Sequence, residues 1–126
     1  MIHGVGTDIV AIARMTDFHS RHGERGMERI LAPSELVECR SSNRPDRFLA
    51  KRFAAKEALA KALGTGIRAP VLMTSIAVSH DAQGKPIFDL APDLAAWLDE
   101  RRLTAHLSIS DEREYAVAFV VVEHKT

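Results

Sequence analysis

Cysteine is nearly absent from this sequence: Cys39 is the only one in 126 residues, so no internal disulfide can form. A lone thiol is typical of a reducing compartment, and Cys39 is better interpreted as a small buried helix residue than as a nucleophile. Also absent are an apolar run near the roughly 18 residues that span a membrane and the features of a secretory signal. We therefore expect a cytoplasmic protein that binds no membrane.

Net charge is lacking as well, because 17 lysines and arginines balance 17 acidic residues. A neutral chain is a poor general binder of nucleic acid, so we expect no nucleic-acid partner. The arginines nevertheless concentrate in the first half of the chain, where acids are mixed among them. Two interpretations stay open: a solvated surface of mixed charge, or a face that docks an acidic protein. The candidates for such a docking face are Arg14, Arg21 and Arg25.

The length predicts a single domain, residues 1–126, with no internal repeat or linker. Apolar residues follow a helical period mainly in the first half and a strand period mainly in the second. Because no long helical crossover separates the later strands, we predict an α+β fold with helices packed on an antiparallel sheet. The predicted helices cover residues 11–22, with breaks near Gly23 and Gly26, then 27–31, a segment from Pro33, about 46–63, and 92–102. The predicted strands cover residues 2–10, 76–80, a return strand from 87, 105–110 and 115–122.

The long helix at about 46–63 is the most informative part of the chain. Its alanines at positions 50, 54, 58 and 62 form a ridge at i,i+4 spacing that would let another backbone or a ligand come close. Glu57 and Lys61 are four residues apart, so they lie one turn apart on one face. Gly64 and Gly66 end the helix.

Each of these signals also has a simpler interpretation. Asp8, near the end of the first strand, could cap the following helix, and Glu57 with Lys61 could form a surface ion pair. The turn at residues 64–66 could serve only as a helix cap. Taken together, an acid on a strand end and an acid and a lysine beside a glycine turn are better explained by a metal–phosphate site. The sequence has no phosphate-binding loop of the P-loop or dinucleotide type and no HExxH or CxxC metal spacing.

Four separated motifs occur in one order and spacing. In that order the chain resembles the holo-[acyl-carrier-protein] synthases, the small bacterial class of 4'-phosphopantetheinyl transferases, over almost its whole length. The motifs are Gly6-Thr7-Asp8-Ile9-Val10, then Arg52-Phe53-Ala54-Ala55-Lys56-Glu57-Ala58 with Lys61 and Gly64-Thr65-Gly66, then Gly84-Lys85-Pro86, and Leu107-Ser108-Ile109-Ser110-Asp111 before Tyr115-Ala116-Val117-Ala118.

The resemblance implies the fold of that family and a homotrimer with active sites between subunits. It implies transfer of the 4'-phosphopantetheine group of coenzyme A to a serine of apo acyl carrier protein, with release of adenosine 3',5'-bisphosphate, in support of fatty acid biosynthesis. The alternatives are a non-catalytic module that binds coenzyme A or a nucleotide, and an interaction protein that only docks acidic partners. The intact motif residues Asp8, Glu57 and Lys61 favour the enzyme.

Matched motif by motif, the resemblance implies that Asp8 and Glu57 hold Mg²⁺, which binds well to a few carboxylates together with phosphate oxygens. It implies that Lys61 lies against the phosphates and shares the catalytic role with these two acids. The residues expected around the coenzyme A phosphates and nucleotide are Lys61, Gly64, Thr65, Gly66, Lys85, Pro86, Ser108 and Ser110.

Asp111 departs from relatives that have a histidine after the Ser-x-Ser pair. An acid would repel phosphates, so we expect no direct phosphate contact from Asp111. We expect its carboxylate to cap the following turn instead.

Overall fold

The computed structural model describes residues 1–126, and it confirms an α+β fold with antiparallel strands and one long helix. Each predicted strand and helix has a counterpart with ends shifted by a few residues, except that the helices predicted at 11–22 and 27–31 form one kinked helix, Ile12–Ile30. None of the helices combines the length and the apolar composition that crossing a membrane would require. The elements are β1 (Ile2–Ala11), α1 (Ile12–Ile30), α2 (Pro33–Arg40), α3 (Pro45–Leu63), a short 3-10 turn (Met73–Ser75), β2 (Ile76–His80), β3 (Pro86–Leu90), α4 (Pro92–Glu100), β4 (Leu103–Asp111) and β5 (Tyr115–His124).

The break predicted in the first helix lies at Gly23 alone. Gly23 has φ 54° and ψ −140°, a backbone conformation that favours glycine, and it kinks α1 between two helical stretches. Gly26 stays inside the second stretch, where a side chain would strike the ring of Phe18 and the Cβ of His22. Gly26 therefore allows close packing against Phe18 and His22 and does not break the helix.

The strands form two antiparallel sheets and not the single sheet expected. β5 lies between β1 and β4 in a three-stranded sheet, while β2 pairs only with β3. β3 lies beside β4 but makes no hydrogen-bonded ladder with it. The period of a strand shows which of its faces is buried, but it does not show which neighbour shares its hydrogen bonds, and so the sequence did not separate the two sheets.

α3 lies across the three-stranded sheet and forms the centre of the core. The alanine ridge on this helix is fully or almost fully buried. Two glycines of β1 face it: a Cβ on Gly6 would overlap the carbonyl oxygen of Ala58, and one on Gly4 would overlap that of Ala62. Small residues on both elements thus bring the strand backbone into direct contact with the helix, as the ridge predicted.

The other face of the three-stranded sheet is apolar and uncovered. Val5 and Ile9 on β1 are 57% and 62% exposed, and Phe119 on β5 is 46% exposed. The register places these side chains together, because Thr7 pairs with Phe119 and Ile9 with Val117. We call this surface, formed by Val5, Ile9, Val117, Phe119 and Val121, the outer sheet face.

Candidate active site

β1 brings Asp8 to the long helix. Residues alternate along a strand, so Asp8 lies on the same face as Gly6 and Val10, toward α3. The ammonium of Lys61 lies 3.1 Å from the Asp8 carboxylate and donates to the carbonyl oxygen of Thr7 at 3.0 Å. This contact joins a strand and a helix that are more than fifty residues apart in sequence.

The structure contradicts both simpler interpretations of these acids, the helix cap at Asp8 and the ion pair between Glu57 and Lys61. The residue at the N-cap of α1 is Ala11, and no side chain caps that helix, so Asp8 does not serve as its cap. Lys61 forms its ion pair with Asp8, and none forms between Lys61 and Glu57. Glu57 is half-buried and takes part in no salt bridge of this chain.

The course of β1 along α3 runs from the turn at Ala62 toward the part of the helix that carries Glu57. Gly4 contacts the turn at Ala62 and Gly6 contacts the turn at Ala58, so the strand advances toward the start of the helix. Two strand residues span about 6.6 Å and four helix residues about 6 Å, so Asp8 falls beside the turn that ends at Glu57. Asp8 and Lys61 are thus in contact, while Glu57 forms no hydrogen bond or ion pair with either, and its place in the same site stays a prediction.

The donor set here fits a divalent cation that is bound together with phosphates. Asp8 and Glu57 offer two carboxylates, and the chain brings together no group of three or more acidic, histidine or cysteine side chains suited to a metal. Mg²⁺ commonly takes one or two carboxylates and completes its shell with phosphate oxygens and water. The adjacent ammonium of Lys61 adds positive charge beside the phosphates.

The glycine turn after α3 is a helix cap in this structure. Gly64 has φ 78° in the left-handed region and closes the helix. The backbone N–H groups of Gly64, Thr65 and Gly66 all point to the carbonyl oxygen of Ala60, at 3.0, 3.3 and 3.4 Å. A role in phosphate binding stays a prediction, and it requires the two longer bonds to open.

The residues expected around the nucleotide lie apart from this cluster within one chain. Ser108 and Ser110 alternate with Ile109, which pairs with Ala118 on the inner face of the sheet, so both serines point to the outer side. Lys85 and Pro86 lie where the turn between β2 and β3 enters β3.

One cavity of about 190 Å³ does bring the Gly84–Pro86 turn and the end of β4 together. The sequence pattern missed part of its lining, because α3 contributes an aromatic ring and two cations to it. The residues that give it this character are Phe48, Lys51, Arg52, Gly84, Pro86 and Asp111. The ring of Phe48 and the ammonium of Lys51 suit a base and a phosphate, whereas Asp111 is an acid paired with Arg47 and Arg52 is paired with the buried Glu35.

Asp111 does not cap the following turn, so that expectation is wrong. Its carboxylate accepts a hydrogen bond of 2.7 Å from Arg47, and Arg47 also donates to the carbonyl oxygens of Glu112 at 2.6 Å and Arg113 at 3.2 Å. The guanidinium thus fastens the first turn of α3 to the turn between β4 and β5. A charge partner distant in sequence determines the role of this acid.

A buried charged cluster behind α3 was not predicted either. Glu35 and Lys56 are both fully buried, with the ammonium 2.6 Å from the carboxylate, and Arg52 lies 3.3 Å from the second oxygen of Glu35. Burial lowers the pKa of Lys56 to about 8, although the Glu35 carboxylate opposes this shift. A signal was available: Lys56 is seven residues from both Leu49 and Leu63, on the buried face of the helix.

The three arginines proposed for docking lie along α1 and are exposed. The guanidinium of Arg14 lies 5.2 Å from the ring centroid of Phe53, which precedes Glu57 by one turn of α3. Arg21 is paired with Asp17 on its own helix, and Arg25 forms no salt bridge. Arg14 is therefore linked to the helix that carries Glu57 and Lys61.

Comparison with known proteins places the chain in a class. The family model described as the 4'-phosphopantetheinyl transferase superfamily matches residues 4–120, and the chain belongs to this superfamily. The resemblance inferred from the four motifs is thereby confirmed.

Its relatives narrow the class further. The holo-[acyl-carrier-protein] synthase of Azoarcus sp. (strain BH72) is 58% identical over 123 residues, which is 98% of each chain. The crystal structure of the Neisseria meningitidis synthase has a TM-score of 0.94 at 48% identity and covers 98% of this chain and 99% of that one. A Bacillus anthracis synthase in complex with CoA (3',5'-ADP) has a TM-score of 0.82 at 38% identity, with 99% of each chain covered.

Proposed function

We propose that this protein transfers the 4'-phosphopantetheine group of coenzyme A to a serine of apo acyl carrier protein. The observation that carries the proposal is the contact of Asp8 with Lys61, which follows Glu57 by one turn of α3, in a member of this superfamily. The serine oxygen forms a bond to the β-phosphorus of coenzyme A. The bond from that phosphorus to the bridging oxygen breaks, and its electron pair leaves with adenosine 3',5'-bisphosphate.

The chain supplies positioning and charge to this reaction. Asp8 and Glu57 would hold Mg²⁺, which when bound supplies positive charge to the pyrophosphate oxygens. The Lys61 ammonium offsets the negative charge that develops on the leaving bisphosphate. The half-buried carboxylate of Glu57 is the protein group available to accept the proton of the serine.

The nucleotide occupies the cavity lined by Phe48, Lys51 and Pro86 in a neighbouring subunit. An active site shared between two chains is supported by the separation, within one chain, of Ser108 and Ser110 from Asp8. It is supported also by the outer sheet face, an exposed apolar surface of a kind that marks protein contacts. A homotrimer that buries this face would complete each active site with residues of two chains.

The carrier protein docks on α1 through Arg14, Arg21 and Arg25. Exposed arginines on one helix attract an acidic partner over a distance and speed its encounter. Arg14 is close to the cluster through its contact with Phe53, so it guides the serine to the phosphate.

The free thiol of the buried Cys39 fits a cytoplasmic location, where acyl carrier proteins work.

Mass spectrometry of apo acyl carrier protein incubated with this protein, coenzyme A and Mg²⁺ tests the proposal. We expect a mass gain of one phosphopantetheine that requires the metal. Asp8→Ala and Glu57→Ala should each remove most of the turnover and leave the fold intact, whereas Asp99→Asn, an exposed acid on α4, should change nothing. A mass gain that persists without any divalent metal, or in both alanine variants, would contradict the proposed site.

A further inference from the structure

The buried ammonium of Lys56 holds three separate parts of the chain to α3. It donates to the carbonyl oxygen of Ile30, the last residue of α1, at 2.5 Å and to the carbonyl oxygen of Met73, just before β2, at 2.9 Å. Its third partner is the Glu35 carboxylate on α2 at 2.6 Å. Lys56 therefore fills all three of its donor positions, each with a different segment.

Stability alone gives little reason for a lysine at this position. Replacing a buried ion pair by apolar residues of similar size is often neutral or stabilising, because two charges must lose their water. Leu49 and Leu63, seven residues before and after it, line the same buried face with hydrocarbon. Lys56 does what a leucine there could not do, since it bonds backbone atoms at fixed distances and directions.

Lys56 immediately precedes Glu57, so whatever fixes one in the helix fixes the other. A bond from Lys56 to Ile30 sets the rotation of α3 against the end of α1, the helix that carries the docking arginines. The bond to Met73 sets the same turn against the segment that follows the glycine turn at residues 64–66. A displacement of about 1 Å at a reacting centre can cost roughly 10²-fold in rate.

We propose that Lys56 is a positioning residue for Glu57. Through its bonds to Ile30 and Met73, Lys56 fixes the metal-binding carboxylate of Glu57 relative to α1 and the segment before β2. The inference rests on the proposed metal role of Glu57. Lys56 itself touches no substrate. Its effect is on the affinity of the cation site and, through that, on transfer.

Two variants separate positioning from general stability. Lys56→Met removes the bonds to Ile30 and Met73, while Glu35 keeps a counter-charge in Arg52 at 3.3 Å. Glu35→Gln removes the same ion pair but leaves Lys56 its two carbonyl acceptors. Both variants lose stability, which urea unfolding measures, but only the first loses the links to the backbone of its neighbours.

The measurement is Mn²⁺ binding, followed by electron paramagnetic resonance in the presence of adenosine 3',5'-bisphosphate. In Lys56→Met we expect the Mn²⁺ dissociation constant to rise about tenfold or more, as when a residue supporting a metal ligand is removed. In Glu35→Gln we expect a change of less than about threefold, since the links from Lys56 to the two carbonyls persist. Unchanged affinity in folded Lys56→Met, or equal losses in both variants, would overturn the inference.

If Lys56→Met does not fold, the double variant Glu35→Gln/Lys56→Met, which removes both charges, takes its place in the comparison with Glu35→Gln. Wild-type transfer to apo carrier protein is measured in parallel. A wild-type protein that binds Mn²⁺ but does not transfer refutes the proposed function and leaves the Lys56 comparison standing. An active wild type with equal Mn²⁺ affinity in all variants refutes the role of Lys56 alone.

Discussion

Lys61 lies 3.1 Å from Asp8, a residue of another element, and forms no ion pair with Glu57 four positions before it on the same helix. The ammonium is about half exposed and also donates to the carbonyl oxygen of Thr7. A cation held between a strand end and a helix turn by one carboxylate and one carbonyl keeps a remaining N–H for a third acceptor. A phosphate oxygen at the site would be that acceptor.

Lys61→Met tests this role. Methionine keeps the apolar length and helix propensity and removes the charge, so we expect kcat to fall on the order of 10²-fold or more. Stability should fall by less than about 1 kcal/mol, because the pair with Asp8 is exposed on the lysine side. Lys125→Met, which breaks another exposed pair at 3.2 Å from Asp99, is the control and should keep full kcat. A loss confined to coenzyme A binding would make Lys61 an anchor only.

Gly6→Ala tests the close approach of β1 to α3. The new methyl group would overlap the Ala58 carbonyl oxygen, so strand and helix must separate. We expect a loss of about 1–3 kcal/mol in urea unfolding and a rise in the Mg²⁺ concentration needed for activity, because Asp8 moves with the strand. Val37→Ala, which shortens an exposed valine on α2 away from this contact, should affect neither strongly. Normal Mg²⁺ activation in Gly6→Ala would show that the site does not depend on this contact.

Arg14→Glu tests the docking helix. Reversal of this charge should raise the KM for the acidic carrier protein on the order of tenfold at low salt, reduce its salt sensitivity and leave the KM for coenzyme A near normal. Arg101→Glu is a matched control, since Arg101 is also an exposed arginine over an aromatic ring, Trp97, at 3.9 Å. If both variants raise the carrier KM equally, net charge and not docking on α1 explains the effect.

Phe119→Arg tests the outer sheet face as a contact between subunits. A charge at the centre of this apolar surface should convert the proposed trimer to monomers in sedimentation experiments and abolish transfer, while the circular dichroism spectrum stays that of a folded chain. Val37→Arg places the same charge at a valine on α2 that is 65% exposed, and it should leave both assembly and activity unchanged. A wild-type protein that sediments as a monomer would contradict the trimer directly.

The sequence predicted most of what local spacing can determine. The alanine ridge, the long helix and the strand alternation follow from the spacing of apolar residues, which has a period of 3.6 in a helix and 2 in a strand. This spacing can be seen along the sequence without knowledge of the tertiary fold. The ridge predicted that another backbone or a ligand would come close to it. That the approaching backbone is β1 at Gly4 and Gly6 depends on the tertiary placement of this strand, which the spacing does not give. The family motifs marked Asp8, Glu57 and Lys61 before any contact among them was known.

Partners distant in sequence could not be predicted in this way. Spacing along one helix paired Lys61 with Glu57, whereas tertiary packing pairs it with Asp8. The same limit applies to Asp111, whose partner is Arg47 on α3. Lys56 differs, because its place seven residues from both Leu49 and Leu63 puts a charge on the apolar stripe of the helix, a pattern that the sequence itself contains and that is rare because lysines are seldom fully buried.

The two faces of β1 make different contacts, so the number of residues that precede Asp8 in this strand is critical. Gly6 and Asp8 face the helix, while Val5 and Ile9 face outward, and the two sets alternate residue by residue. Insertion or deletion of a single residue before Asp8 would turn the carboxylate outward and drive valine into the place of glycine against the Ala58 carbonyl. Such a change would remove the proposed metal ligand, the close helix contact and the proposed assembly surface together, whereas substitutions at the same positions would affect them one at a time.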